Sequence, residues 1–267
     1  MSHLLVNLIH SIKPIALGKE KYVLPEKMAA NVFYTIRLQL IRAFVFQIKL
    51  HHVNAGEKKM VIHEFGNPLA DIVLIQPVDG HDLAMMDNEI KTIAQNTADA
   101  FRLIAVEVDN WNFDLSPWRA PAVFGNETFG NGAENTLANV TKLCEDKSKT
   151  YLIGGYSLAG LFAIWAAYQT DLFKSVAAAS PSVWFPGFLD YMKGHEIQSR
   201  NVYLSLGDKE EKTRNQVMAI VGERIQEAYR WLSDQGITCS LEWNEGNHFK
   251  DADIRTAKAF SWAIHQL

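Results

Sequence analysis

From about Lys58 onward, short apolar runs alternate with segments in which apolar residues recur at helical spacing. The runs are rich in Val, Ile and Leu, which is typical of strands buried on both faces. Strands are expected at 71–78, 102–108, 150–154, 174–180, 201–206 and 237–243. Helices are expected at 82–97, 133–145, 158–168, 213–235 and 251–266. This alternation predicts an α/β domain with a mainly parallel central sheet and helices on both faces.

Three apolar stretches need to be distinguished from membrane or export segments. Residues 150–170 carry no charged side chain, but Gly154 and Gly155 interrupt them, so we expect a buried strand, a tight turn and a buried helix. Residues 33–50 include three cations, and residues 1–18 lack the basic start of a signal peptide. The sequence therefore predicts no membrane span and no secretory signal.

The first 57 residues lack the alternation of strands and helices. They hold seven Lys or Arg against three Asp or Glu, whereas the whole chain carries a net charge of -4. Opposite charge on the two parts favours contact between them. We therefore interpret residues 1–57 as an N-terminal extension that packs on the body or on a second copy of the chain, as in a homo-oligomer. Residues 58–267 form the α/β domain in this interpretation.

Composition narrows the class of protein. Apolar residues make up 48% and charged residues 21% of the chain, which indicates a globular protein. A net charge of -4 and a pI near 6.1 argue against a nucleic-acid partner. Two cysteines, Cys144 and Cys239, are too few for a disulfide framework, so we expect a reducing, cytoplasmic location. No His or Cys pair has metal-ligand spacing and no glycine loop matches a phosphate site, so we expect no metal ion and no cofactor.

The strongest chemical signal is the segment 154–160, GGYSLAG, between a predicted strand and a predicted helix. In a nucleophile elbow the strand turns so sharply into a helix that the residues two before and two after the nucleophile must be small. Gly155 and Ala159 occupy those positions around Ser157. The turn would raise the Ser157 hydroxyl above the carboxyl end of the sheet, at a helix N-terminus that favours developing negative charge. Ser157 is therefore the candidate nucleophile.

A serine of this kind needs a histidine base, which follows it in the chain. Three histidines follow Ser157, namely His195, His248 and His265. His195 lies in a polar stretch with no preceding strand, and His265 lies in the last predicted helix. Because the base must stand in a loop at the carboxyl end of a strand, we favour His248, which follows the last predicted strand.

The acid that orients the base is expected after the strand at 201–206. The loop there holds three candidates, Asp208, Glu210 and Glu211. Glu210, three residues after Gly207, has the extra reach to contact an imidazole from the loop. Asp208 is the close rival and Glu211 the third choice, and the residues alone leave the choice open.

An oxyanion needs two main-chain N–H donors, one from the residue after the nucleophile and one from the loop after an early strand. These positions are Leu158 and His81, and we expect the neighbouring Asp82 to cap the following helix. Aromatic residues crowd the loops at the same end of the sheet. Among them, Trp118 and Trp184 are the candidates for contacting an apolar or aromatic substrate group.

The ordered motifs resemble an esterase family of α/β hydrolases that includes esterase D-like, feruloyl, siderophore and mycolyl-transferring enzymes. The resemblance covers about Lys58 to Leu267. It rests on Asp79-Gly80, the GYSLAG elbow, Ser-Pro-Ser-Val-Trp at 180–184, Gly207-Asp208-Lys209-Glu210 and Gly246-Asn247-His248-Phe249. It implies an α/β-hydrolase fold and serine hydrolysis of a carboxylic ester, with Ser157, His248 and an acid from residues 207–211 as the triad. Ala159 stands where the family usually has a second glycine, which is a departure from its pattern.

The expected activity is therefore that of a serine esterase acting on a small-molecule ester, of short-chain or of aryl, hydroxycinnamoyl type. Two alternatives stay open. The first is an acyltransferase or thioesterase with the same triad, which differs in the acceptor or the leaving group. The second is a catalytically idle hydrolase fold that acts as an interaction module.

Overall fold

The computed structural model describes residues 51–55, 58–123 and 125–267, with side chains from Met60 onward. They form an eight-stranded sheet with helices packed on it. The strands are β1 (His51–Ala55), β2 (Lys58–Gly66), β3 (Ile72–Val78), β4 (Phe101–Glu107), β5 (Thr150–Tyr156), β6 (Phe173–Ala179), β7 (Asn201–Gly207) and β8 (Thr238–Asn244). The helices are α1 (Gly80–Asn96), α2 (Trp111–Asp114), α3 (Ala133–Lys142), α4 (Leu158–Gln169), α5 (Phe188–Gly194), α6 (Val221–Asp234) and α7 (Ala252–His265). A 3₁₀ turn at Met218–Ile220 precedes α6.

The strand order is β1-β2-β4-β3-β5-β6-β7-β8. β2 pairs antiparallel with both β1 and β4, whereas all pairs from β4 to β8 are parallel. Parallel strands bring their carboxyl ends to one edge of a sheet, so the loops after β3, β5, β6, β7 and β8 meet there. That edge carries the candidate site.

Alternate residues of the central strands pack against different helices. In β3, Leu74 belongs to the core under α1 and α7, whereas Val73 and Ile75 belong to the core under α3 to α6. All three side chains are at most 2% exposed. Burial on both faces explains why the parallel strands read as unbroken apolar runs rather than as alternating ones. The predicted α/β architecture with a mainly parallel sheet is confirmed.

The six predicted strands are present as β3 to β8, with ends shifted by no more than two residues. The uncharged stretch at 150–170 folds as β5 and α4, which confirms the predicted strand, turn and helix. The helix predicted at 213–235 is shorter and begins at Val221. Within the described ranges, no helix combines the length and the apolarity that crossing a bilayer requires. The predictions for residues 1–18 and 33–50 lie outside the described residues.

The sequence pattern does not predict β1, β2, α2 and α5. β2 has polar residues in its middle, His63 and Glu64, which break its apolar run. Both are paired with residues of β4. His63 lies 3.0 Å from the Glu107 carboxylate, and Arg102 lies 2.8 Å from the Glu64 carboxylate. The strand is thus held by cross-strand partners that a single-segment pattern does not reveal.

The start of α1 corrects the expectation for Asp82. Asp79 is the N-cap, and its carboxylate accepts the N–H groups of His81 and Asp82 at 2.8 and 2.9 Å. Asp82 stands at the third helical position, and its own carboxylate accepts the Asp79 N–H at 3.3 Å. The two residues therefore form a reciprocal capping box, and the helix begins at Gly80.

β1 lies on the N-terminal side of the boundary at residue 58 that the sequence predicts. It pairs with β2 from His51 opposite Ile62 to Ala55 opposite Lys58. The rest of the predicted extension lies outside the described residues, so its role in packing or self-association stays a prediction. The mass of the full chain in solution, measured by light scattering, tests the homo-oligomer.

Candidate active site

Ser157 stands at the junction of β5 and α4 in a strained main-chain conformation. Its φ of 56° and ψ of -117° lie in a region that costs a non-glycine residue about 1–3 kcal/mol. Two main-chain hydrogen bonds fix this conformation. The Ser157 N–H donates to the Ala179 carbonyl, and the Ser157 carbonyl accepts from the Ser182 N–H, both at 3.0 Å. The end of β6 and the loop after it therefore hold the elbow in place.

Gly155 explains how an alanine fits at position 159. A Cβ at position 155 would lie 2.6 Å from the Ala159 Cβ, so the two flanking positions pack directly against each other. There is room for one methyl group between them, and the chain places it on Ala159. A Cβ at Gly160 would lie 3.0 Å from the Gly155 carbonyl oxygen, which confines that position as well. The departure from the family pattern is therefore compatible with the sharp turn.

His248 lies in the loop after β8 and contacts two of the predicted site residues. Its Nε2 is 3.0 Å from Ser157 Oγ, and its Nδ1 is 2.7 Å from Glu210 Oε2. An ionised carboxylate only accepts, so Nδ1 carries the proton and donates to Glu210. Nε2 is then unprotonated and accepts the hydrogen bond of the Ser157 hydroxyl. This is the arrangement in which an imidazole can take the proton of a serine.

Glu210 is buried, and its side chain is 1% exposed. Its second oxygen, Oε1, accepts the Gly207 N–H at 2.7 Å, the Ser180 hydroxyl at 2.8 Å and the Arg255 guanidinium at 3.0 Å. Burial by itself would raise the pKa of Glu210. The hydrogen bond and charge of His248, with the Gly207 and Ser180 donors, instead hold that pKa below its usual value. Glu210 is therefore an ionised acceptor for the imidazole at neutral pH.

The rival acids contact other groups. Asp208 Oδ1 accepts the Gly246 N–H at 2.7 Å, and this bond lowers the pKa of its carboxyl. Glu211 is exposed, with its carboxylate against Gly222 on α6. The structure therefore brings Glu210, and neither of its two neighbours, to the imidazole of His248.

The rival histidines lie away from Ser157. His195 Nδ1 is 2.8 Å from the Tyr191 carbonyl oxygen, and its ring stacks on that of Tyr191 with centroids 4.0 Å apart. His265 is an exposed residue at the end of α7. Neither is part of the hydrogen-bonded chain that includes the serine.

The two predicted oxyanion donors differ in their placement. Leu158 is the first residue of α4, where the main-chain N–H has no acceptor within the helix, and it lines the cavity beside Ser157. His81, in contrast, is exposed and donates its N–H to Asp79 as part of the α1 cap. In this structure the cap takes up the N–H that the prediction assigns to the oxyanion, so the role of His81 stays a prediction.

The same cap region holds a group of potential metal ligands. Asp79, His81 and Asp82 place one ligand atom each within 4.8 Å of one another. Both carboxylates already accept N–H groups of the capping box. Burial, with the charge of Asp79, raises the pKa of Asp82 to about 6, so below that pH a proton competes with a cation for this carboxylate.

A cavity of about 250 Å³ opens beside Ser157. Its wall includes the apolar aromatic side chains of Trp111, Phe129, Trp184 and Phe249. The rings of Phe129 and Trp184 meet edge to face with centroids 6.1 Å apart. Phe249 follows His248 and is 89% exposed, so it stands at the mouth of the cavity with nearly all of its side chain in solvent. An apolar or aromatic substrate group could be enclosed on several sides here.

Trp118 does not line this cavity, which corrects the prediction that it contacts the substrate. Its ring packs against Phe185, Phe188 and Tyr191, with centroids 5.4 to 6.3 Å apart. Its Nε1–H donates to the Pro186 carbonyl at 2.9 Å. Trp118 thus anchors the segment at 111–120 to the segment around α5. Of the two tryptophans predicted to contact the substrate, Trp184 lines the cavity.

Sequence reasoning missed the polar residues behind the imidazole: Tyr156, Ser180 and Arg255. The best signal for them lies in α7. Arg255 occupies the same helical face as Ala259 and Ala263, which are fully buried, so a cation stands where the pattern calls for an apolar residue. A buried charge needs a partner, and this one contacts Glu210.

The structure is similar to several solved hydrolases. An IroE-like serine hydrolase from Shewanella oneidensis matches with a TM-score of 0.65 at 13% identity, over 81% of this chain and 79% of that chain. The fold is that of the α/β hydrolases. An enterochelin esterase from Shigella flexneri matches with a TM-score of 0.58 at 13% identity, over 82% of this chain and 59% of that chain. A ferulic acid esterase matches with a TM-score of 0.52 at 12% identity, over 82% and 95% of the two chains.

No family model matches this sequence, and no curated protein matches it either. At identities of 12 to 13%, the structural likeness establishes the fold. A shared fold does not fix a function, so the chemistry has to be argued from the residues of the site.

Proposed function

We propose that this protein is a serine esterase that hydrolyses carboxylic esters through an acyl-enzyme intermediate. The observation that carries the proposal is the continuous hydrogen-bonded chain from Glu210 through His248 to Ser157, built on a strained elbow. Three side chains from the loops after β5, β7 and β8 converge in the order and geometry that acyl transfer needs. The neighbouring cavity gives an ester access to the Ser157 hydroxyl.

The reaction proceeds in two steps. His248 Nε2 takes the proton of the Ser157 hydroxyl as Oγ attacks the ester carbonyl, and the protonated imidazole then gives it to the leaving alcohol. In the second step His248 takes a proton from water, which attacks the acyl-serine, and then gives this proton to Ser157 Oγ as the acid is released. Glu210 holds the imidazole in the required tautomer and stabilises its positive charge.

The negative charge on the carbonyl oxygen develops at the N-terminus of α4. Leu158 begins this helix, so its N–H has no acceptor within the helix and serves as one donor, and the helix dipole adds to its effect. A second donor from His81 would require its N–H to leave the Asp79 carboxylate. That exchange is part of the proposal, because the α1 cap would have to open locally when the ester binds.

Esters with an apolar or aromatic group are the substrates that the cavity supports best, namely short-chain and aryl or hydroxycinnamoyl esters. Its wall of four aromatic residues is suited to stacking on a planar group. One structural neighbour is named a ferulic acid esterase, which agrees with this choice for a protein of the same fold.

A panel of p-nitrophenyl and hydroxycinnamoyl esters tests the proposal. We expect release of the free acid, with a kcat that falls by about 10⁶ in Ser157→Ala. Ser148→Ala is the matched control, because Ser148 is an exposed serine whose hydroxyl contacts Asp146 and which does not line the cavity. Absence of turnover on every ester would contradict the proposal. With added alcohol or thiol, transfer products in place of acid would identify an acyltransferase.

A further inference from the structure

Arg255 is an arginine enclosed behind the proposed catalytic acid. It projects from α7, and its side chain is 2% exposed. Its Nη1 donates to Glu210 Oε1 at 3.0 Å, on the oxygen that does not face the imidazole. Glu210 Oε2 is thereby left for His248 alone. A guanidinium on one oxygen and an imidazole on the other fix the plane of the carboxylate.

The same guanidinium holds the loop that carries the base. Nη2 donates to the carbonyl oxygens of Glu245 and Asn247, at 3.0 and 3.1 Å. These two residues lie between the end of β8 and His248. One planar group therefore contacts both the acid and the chain immediately before the base, so their separation depends on it.

Tyr156 closes the network on the other side. Its hydroxyl accepts from Arg255 Nη1 at 3.0 Å and donates to the His248 carbonyl at 2.8 Å. Burial, followed by the charge of Glu210, raises the pKa of Tyr156 to about 12, so the hydroxyl keeps the proton that it donates. Tyr156 directly precedes Ser157, so the network also reaches the elbow.

The positive charge of Arg255 compensates the buried charge of Glu210, so this side chain does more than fill space. Glu210 and Arg255 are both buried, and either one alone would be an uncompensated charge in the interior. Arg255 remains buried even though its Nε has no hydrogen-bond partner. A lysine has the charge but not the planar fork, so it could not reach the carboxylate and both loop carbonyls together.

We propose that Arg255 is a positioning residue that aligns the Glu210 carboxylate and the His248 loop, so that Oε2 faces Nδ1. It touches no substrate, and it acts on the imidazole through Glu210 and through the two carbonyls of the loop that carries His248. This inference rests on the proposed esterase function. It predicts that the cost of losing Arg255 depends on the presence of Glu210.

A double-mutant cycle tests the inference with Arg255→Met, Glu210→Gln and the double variant. We expect Arg255→Met alone to lower kcat on the order of 10-fold to 100-fold with KM unchanged, because the acid is misaligned while the cavity is intact. In the Glu210→Gln background the same change should cost at least about threefold less, since no carboxylate is left to align and only the two loop carbonyls lose their donor. Equal losses in both backgrounds, or a loss confined to KM, would overturn the inference.

Two further variants keep the test decisive. Lys258→Met is the matched control on α7, because Lys258 pairs with Glu242 at 2.7 Å and has no contact with Glu210 or His248. It should leave kcat unchanged. If Arg255→Met does not fold, as judged by circular dichroism, Arg255→Lys takes its place in the cycle. The two proposals fail separately: ester turnover that survives Ser157→Ala contradicts the proposed function, whereas Ser157-dependent turnover with additive losses contradicts only the role of Arg255.

Discussion

The carboxylate of Asp208 accepts a hydrogen bond from the main-chain N–H of Gly246, two residues before His248, at 2.7 Å. Glu210, from the same loop, reaches past this contact to the imidazole itself at 2.7 Å. Two acids of the loop after β7 therefore contact the His248 loop at different places. Asp208 binds its main chain, and Glu210 binds the imidazole ring. We infer that Asp208 anchors the His248 loop, whereas Glu210 orients the imidazole.

Exchanging each acid for its amide should separate these roles. Glu210→Gln places an amide opposite Nδ1–H, which disfavours the required tautomer, and kcat should fall by about 10⁴. Asp208→Asn keeps an oxygen that accepts the Gly246 N–H, so its kcat should change by less than about threefold. Steady-state kinetics on one p-nitrophenyl ester measure both. Comparable losses in the two variants would refute the assignment of Glu210 as the orienting acid.

The charge of the cavity should bias the choice of ester. Among the described residues that line it, Glu127 is the only carboxylate, and no Lys or Arg is present. An acyl group with an ammonium should therefore be hydrolysed faster than a carboxylate-bearing one of the same size. Because Glu127 is exposed, we expect Glu127→Gln to reduce this ratio by about twofold to fivefold at low salt, and by less at high salt.

Glu134→Gln is the control for this experiment, since Glu134 is an exposed acid on α3 that does not line the cavity. It should leave the ratio of the two rates unchanged. If both variants change the ratio equally, the preference comes from the net charge of the protein and not from the cavity.

The α1 cap should make stability depend on pH. Burial raises the pKa of Asp82 to about 6, and the negative charge of Asp79 contributes. In the unfolded chain an aspartate titrates near about 3.9, so the folded state binds this proton more tightly. The stabilisation from Asp82 is therefore complete below about pH 4 and is lost as pH rises through about 6.

Asp82→Asn tests this dependence, because asparagine stays neutral and keeps an acceptor for the Asp79 N–H. Relative to the unmodified protein, it should raise the melting temperature more at about pH 7.5 than at about pH 4. Asp87→Asn, an exposed acid on the same helix, provides the comparison and should show no such difference. A melting-temperature change that is the same at both pH values would contradict the cause assigned to the shift.

The fold could be predicted where local pattern and tertiary burial agree. β3 and β5 to β7 are buried on both faces, so their apolar runs identify them directly. The elbow could also be predicted from the sequence, because the turn at Ser157 requires small residues at fixed positions. β2 could not be predicted from the sequence, because its polar residues His63 and Glu64 pair with residues of β4 that a local pattern does not reveal.

The site could be predicted less fully, for a geometric reason. Asp208, Glu210 and Glu211 lie within four positions, and which of them points inward depends on the tight turn that the Glu210 N–H makes with the Gly207 carbonyl at 3.1 Å. The sequence does not show that the Asp79 carboxylate takes up the His81 N–H in this structure, because that bond forms only with the α1 cap. Arg255 is far from Glu210 in sequence, and their pairing exists only once α7 packs against the sheet.

The central claim is that Ser157 is the nucleophile and that His248 activates it. Fluorophosphonate labelling of the full chain, followed by peptide mapping, tests it most directly. We predict one adduct, on Ser157 and not on the adjacent Ser182, and labelling slowed by several orders of magnitude in His248→Ala. An unlabelled protein, an adduct on another serine, or equal labelling rates with and without His248 would contradict the claim.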